Sequence, residues 1–162
     1  MTGELLIILM LVPLVAGVII AILPSKEGLI PAYEALHGID VVAVLVLSFV
    51  SIAGVVDSGE TAAAMGEWFR LDQLSCIFVG LIGFIGCMTG LYAIPYIRHD
   101  VQRGAMEPRK VKQFYLFFSL FIFTMLVAAL SNNIFMMWIA VEATTLSTIF
   151  LVGAYDVKPS LE

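Results

Sequence analysis

The sequence predicts an all-α integral membrane protein with five transmembrane helices, and three observations carry that prediction. Of its 162 residues, 61% are apolar and only 13% charged, where soluble domains average about 45 to 50% and about 25%. The mean hydropathy is +1.05. The apolar surplus is gathered into five runs, at 5–23, 39–56, 74–94, 114–130 and 134–152. Each is close to the roughly 17 to 25 residues that a helix needs to cross hydrocarbon. A water-soluble fold is excluded, and the links are too short for a soluble domain, so 1–162 reads as one membrane domain. Barrel strands would be about 10 residues long with in/out alternation, and the unbroken run Leu5 to Val12 shows none.

The run at 5–23 reads as a retained span. It is preceded by Glu4 with no Lys or Arg, its apolar stretch exceeds a signal peptide's usual core, and Pro24-Ser25-Lys26-Glu27 follows in place of a small-x-small cleavage site. Pro13 removes one backbone hydrogen bond mid-helix and is expected to kink it, a defect that membrane helices tolerate when neighbours supply partners. A link at 24–38, containing His37, leads to the second helix at 39–56. An acidic link with Asp57, Glu60 and Glu67 leads to the third at 74–94, for which Asp72 is placed to cap free N–H groups at the positive dipole end. The link from Arg98 to Lys112 precedes the shortest run, at 114–130. Ser131-Asn132-Asn133 is the turn into the fifth helix at 134–152.

Charge placement sets an expected orientation. If the third link is cytoplasmic, seven of the eight Lys and Arg residues lie on that side: Lys26, Arg98, Arg103, Arg109, Lys110, Lys112 and Lys158, with only Arg70 opposite. The positive-inside rule then puts the N-terminus in the periplasm and the C-terminal end in the cytoplasm. All five tyrosines (Tyr33, Tyr92, Tyr96, Tyr115 and Tyr155) fall at or beyond inner helix ends, and Trp68 and Trp138 toward the outer face, as interfacial belts favour. The net charge of −5 carries little weight in such a protein, and no nucleic-acid partner is expected.

Within the third run the small residues Cys76, Gly80, Gly83, Cys87 and Gly90 recur at helical spacing, with Gly86 beside them. Such a stripe suits close helix packing in lipid, where dispersion contacts replace the hydrophobic drive. Cys76 and Cys87 are about 16 Å apart along one helix axis, too far to form a disulfide with each other. Neither belongs to a C-x-x-C pair, and His37 and His99, placed in separate links, have no second ligand nearby. No metal, cofactor or catalytic centre is expected in this chain. No nucleophile with its base is visible, and no phosphate loop.

Glu142 is the residue most suggestive of chemistry. It falls mid-run in the fifth helix, at a depth where a charge costs from about 3 to over 10 kcal/mol. Trp138, Glu142 and Thr145 share a helical face, with Thr144, Ser147 and Thr148 on an adjoining one. Two readings stay open: a neutral glutamic acid bonded to a neighbouring helix for structural reasons, or a proton or ion site with Thr144, Thr145 and Ser147 in support. No buried base was identified to accompany it.

The segment from Phe114-Tyr115-Leu116-Phe117-Phe118 through Asn132-Asn133 to Met137-Trp138-Ile139-Ala140-Val141-Glu142-Ala143-Thr144-Thr145-Leu146 resembles the fourth and fifth helices of the antiporter-like membrane subunits. That family embraces the proton-pumping subunits of respiratory complex I, the Mrp cation/proton antiporters and the group 4 membrane-bound hydrogenases. Leu71-Asp72-Gln73-Leu74-Ser75 leading to Leu91-Tyr92 is similar to the family's third helix, and Trp-x-x-x-Glu-Ala-Thr-Thr-Leu most resembles the hydrogenase-4 component F branch. The specific motifs lie within 71–153.

The resemblance implies the N-terminal part of a roughly fourteen-helix fold in a prokaryotic inner membrane, with other subunits of a hydrogenase or complex I-like assembly as partners. It also implies that Glu142 is the fifth-helix glutamate that pairs with a lysine on a later helix and gates proton movement. The lysines here, Lys26, Lys110, Lys112 and Lys158, all lie outside the apolar runs, so the family's partner lysine and second half-channel are expected from protein beyond these five helices. The expected function is proton translocation coupled to an oxidoreductase complex, with a non-transporting scaffold role as the alternative. An independent small transporter assembled from five-helix units is a third reading that discards the resemblance.

Overall fold

A computed structural model describes residues 3–154. Five long apolar helices are present: α1 (Gly3–Ile22), α2 (Ile30–Ser58), α3 (Gln73–Gln102), α4 (Pro108–Leu130) and α5 (Ile134–Gly153). All five are long and apolar enough to cross a membrane. Between α2 and α3 lies a hairpin of β1 (Ala62–Ala64) and β2 (Phe69–Leu71), paired antiparallel with Ala63 opposite Arg70. Its turn is tight, with Met65, Gly66 and Glu67 all in the left-handed region. Tyr155 and Lys158, used above in the belt and charge arguments, lie outside the described residues.

Several boundaries differ from the expected ones. Helix α2 begins at Ile30, nine residues before the expected 39–56 segment, because Pro31 near the N-terminus starts the helix with a preset φ and no wasted donor. His37 therefore lies inside a helix, not in a link. Helix α3 continues through Pro95 to Gln102, beyond the expected 74–94. The proline does not end it, since the helix carries on past the lost bond as membrane helices can. Helix α4 starts at Pro108 instead of 114, again with proline in its first turn. Helix α1 runs unbroken through Pro13. The link after α2 is a hairpin, not simply an acidic loop.

Helix α4 is central and touches each of the other four helices; α2 packs between α1 and α3, and α5 leans chiefly on α4. Only 11% of the α5 span is buried, against 33–44% for the others, so α5 is the outermost helix. One end of the bundle gathers the hairpin, Gly3 of α1 against Ala63, and the turn between α4 and α5. That turn is held by the pairing of Ser131 with Phe69, by the Asn132 N–H donating to the Trp68 carbonyl at 2.9 Å, and by the Asn132 amide donating to the Glu67 carbonyl. The other end carries Lys26, Arg98, Arg103, Arg109, Lys110 and Lys112. There the Lys112 ammonium donates to the Ala21 and Leu23 carbonyls, satisfying acceptors left free where α1 ends.

Side-chain caps define the helix starts at the hairpin end. The Asn133 side-chain oxygen Oδ1 accepts from the Phe135 N–H at 2.9 Å. The Asp72 carboxylate accepts from the Ser75 N–H at 2.8 Å, and that backbone donor holds its pKa below the ordinary aspartate value. A depressed carboxylate contributes its stability fully above the unfolded pKa and loses it as pH falls through the folded one. Asp72→Ala is expected to cost about 1 kcal/mol at neutral pH. The difference in unfolding midpoint in detergent should vanish in acid below both values; a difference that persists there would assign the loss to packing.

Candidate functional site

Glu142 sits in the middle of α5 and is exposed on the five-helix unit. Its helix face continues outward with Trp138, Ile149 and Val152 all more than 60% exposed. Among the described residues it has no ion-pair partner. Thr145 shares the exposed side, and its hydroxyl donates back to the Val141 carbonyl at 3.2 Å. Thr144 and Ser147 lie on the inner side. The Thr144 hydroxyl donates to the Ala140 carbonyl at 2.8 Å and approaches the Thr124 hydroxyl of α4 at 3.1 Å, while Ser147 is buried and donates to the Ala143 carbonyl. The fold therefore separates the residues grouped in the sequence: Thr144 bonds to α4 and Ser147 is buried on the inner side, and Glu142 with Thr145 looks away from the bundle.

The small residues of α3 meet α2. A Cβ at Gly83 would lie 2.8 Å from the Ser48 hydroxyl and 3.0 Å from its Cβ. At Gly90 it would lie 2.8 Å from a Val41 methyl, and at Gly80 3.2 Å from the Ile52 δ-methyl. Gly86 instead faces Ile122 of α4. Cys76 and Cys87 are buried free thiols. Gly83→Leu forces α2 and α3 apart and is expected to cost roughly 1 to 3 kcal/mol. The measurement is the thermal midpoint of the chain in detergent, and an unchanged midpoint would show that the two helices separate freely.

A second polar group was missed from the sequence. Along the buried face of α2 run Glu34, His37, Asp40, Ser48 and Ser51, each no more than 5% exposed. The Arg98 guanidinium of α3 binds the Glu34 carboxylate through both Nε and Nη2, with Nε at 3.3 Å. Asp40 accepts from the buried Ser119 hydroxyl of α4 at 2.7 Å. His37 is fully buried between Tyr115 and Phe118, with ring centroids 4.7 and 4.8 Å away. His37 therefore lies buried within α2, not in a link, and in a different part of the bundle from Glu142. The available signal was helical spacing carried back past the apolar run: positions 34, 37, 40, 44, 48, 51 and 55 form one stripe. Among the described residues no group of three or more His, Cys, Asp or Glu is placed to hold a metal.

A family profile described as "NADH-Ubiquinone oxidoreductase (complex I), chain 5 N-terminus" matches residues 61–104, the hairpin and α3. The hydrogenase-4 component F homolog of Methylacidiphilum infernorum is 37% identical over 97 residues, 60% of this chain and 20% of that protein. The chain is homologous to the antiporter-like membrane subunits. The NADH-quinone oxidoreductase subunit L of Neisseria meningitidis aligns with 95% of this antiporter-like chain at 28% identity. The Na(+)/H(+) antiporter subunit A1 of Staphylococcus haemolyticus aligns with 71% of it at 30%. The chain spans 20%, 24% and 14% of the lengths of these three relatives. No solved structure matches it. The antiporter-like chain is thus a multi-pass membrane protein similar to the N-terminal portion of such subunits.

Proposed function

We propose that this antiporter-like chain forms the N-terminal part of a proton-translocating subunit in a membrane-bound hydrogenase or NADH:quinone oxidoreductase type complex, with Glu142 as a proton-transfer residue. The observation that carries the proposal is Glu142 at mid-helix on the exposed face of α5. A carboxyl at that depth is expensive against lipid, so its face is covered by further protein, here the remaining helices of the subunit. Those helices would supply a cationic partner and the second half of the path. Thr145 accompanies Glu142 on that face, and Thr144 bonds α5 to α4 with Ser147 buried on the same inner side.

The N-terminus faces the periplasm and the Arg98 to Lys112 end the cytoplasm of a prokaryotic inner membrane. The gathering of basic residues at one end of the bundle supports this orientation. A cysteine introduced at Gln102, at the C-terminal end of α3, should react with an impermeant maleimide only after cells are opened; labelling in intact cells reverses the orientation. Translocation itself is tested by Glu142→Gln in the assembled complex, argued below. Normal pumping by that variant would favour the non-transporting scaffold role.

A further inference from the structure

We propose that Asp40, with His37 one turn before it and Ser119 opposite, forms a second proton-binding site inside the bundle, separate from Glu142 and reached from the end that carries Glu34 and Arg98. The inference does not depend on Glu142 titrating, since Asp40 and His37 lie on α2 whereas α5 packs chiefly on α4.

Position comes first. Asp40 is the eleventh residue of the 29-residue α2, one turn short of its middle, and His37 the eighth. At three-residue spacing they share a face, and that face is the buried one: Asp40 is 3% exposed, His37 and Ser119 0%. Two side chains able to bind and release protons are thus enclosed within a membrane-crossing helix, where polar residues are costly and characteristically line a pathway.

The second argument is unspent hydrogen-bonding capacity. One carboxylate oxygen of Asp40 accepts from Ser119, and the other has no partner. Neither ring nitrogen of His37 makes a hydrogen bond of acceptable geometry, although the Gly90 backbone comes close and a Cβ there would lie 3.1 Å from Nε2. Buried polar atoms are paired in some 90% of cases or more, and an unpaired one costs roughly 1 to 3 kcal/mol. An aliphatic pair at 37 and 40 would fill the same space without that cost. A neutral imidazole has one N–H and one bare nitrogen, and a neutral carboxyl has one O–H. The pair therefore has the groups needed to accept a proton at His37 and hold it at Asp40; the only bonds made or broken are N–H and O–H.

The surrounding charges leave that role to the pair itself. From α4 the facing groups are Tyr115, against the His37 ring, and Ser119. From α3 the charged or titratable groups at this end are Arg98, already bound to Glu34 on α2, and the neighbouring His99 and Asp100, 4.0 Å from each other. Helix α1 carries only Glu4, at the opposite end, and the turn before α2 carries Glu27, exposed at the surface. Among the described residues no cation is paired with Asp40. Glu34 and His37 precede it at successive three-residue steps, a polar approach from one end of the bundle. Beyond Asp40 the next buried polar residue of the stripe is Ser48, about 12 Å further along the axis, so the approach is a half-path that ends at Asp40.

The test is pH-difference infrared spectroscopy on membranes containing the full chain with its native partners, in the Glu142→Gln background so that Glu142 contributes nothing. A carboxylic acid C=O band that moves in D2O should appear and disappear as the pH is varied, and Asp40→Asn should abolish it. Ser119→Ala keeps the carboxyl but removes its bonded hydroxyl. It should displace the midpoint by roughly one pH unit, which identifies the band even if Asp40→Asn fails to accumulate. A band that does not titrate, or one unaffected by both substitutions, overturns the proposal. Loss of pumping in Glu142→Gln with the Asp40 band intact supports both sites, whereas normal pumping with the band intact removes the Glu142 role alone.

Discussion

Glu142→Gln is expected to leave the chain at its normal level in the membrane and to lower proton movement by the assembled complex by roughly 10²-fold, the lower end of what a positioned acid or base contributes. Glutamine keeps the shape and the hydrogen-bonding reach of the side chain and removes only its titration. The substitution should be structurally mild for a specific reason: within the five helices Glu142 is exposed and joins no ion pair among the described residues, so nothing in this bundle is left unpaired. Glu142→Leu removes the hydrogen bonding as well. If the residue serves only to hold a neighbouring helix, leucine should reduce assembly while glutamine stays nearly silent. Proton uptake by vesicles containing the complex, measured beside its electron-transfer rate and subunit content, separates these outcomes. Wild-type pumping by an assembled glutamine variant would falsify the proton role.

Arg98→Ala should be the most destabilising single change at the basic end of the bundle. The Glu34 side chain is 6% exposed and the Arg98 side chain 59%. Truncating the arginine therefore strands a buried carboxylate, whereas truncating the glutamate frees a cation that can turn to water. Breaking a fully buried pair from one side costs about 3 to 5 kcal/mol. With a guanidinium more than half exposed and screened, the loss falls below that of a fully buried pair. Glu34→Gln alone should cost less, and Arg98→Ala with Glu34→Gln should recover part of the loss. The cycle is read from thermal midpoints in detergent; additive losses would show that the two residues are not coupled.

The two halves of the candidate chemistry were unequally legible. Glu142 stands out because it interrupts an otherwise apolar run near its centre, and the residues around it carry a motif. Asp40 and His37 did not, because the apolar run was counted from Ile39. That count placed Asp40 beside a supposed helix start and His37 in a loop, where a polar residue needs no explanation. Only the extension of α2 back to Ile30 turned residues 34, 37 and 40 toward the interior. The same limit affected α3, which runs through Pro95 to Gln102, beyond the apolar run that ends at 94.

By itself the sequence determined that five helices cross a membrane, their order, the basic character of one end and the motif around Glu142. These follow from local quantities, run length, hydropathy and spacing, which no neighbour can alter. Which face of each helix turns inward was decided only by the tertiary structure. An apolar run in lipid has no preferred side, since lipid and protein interiors are equally apolar. Orientation is then set by close contacts such as Gly83 against Ser48 and by the few polar bonds across helices, Arg98 to Glu34 and Ser119 to Asp40. Those contacts join residues more than 30 positions apart, and they leave Glu142 on the outside of the bundle and Asp40 within it.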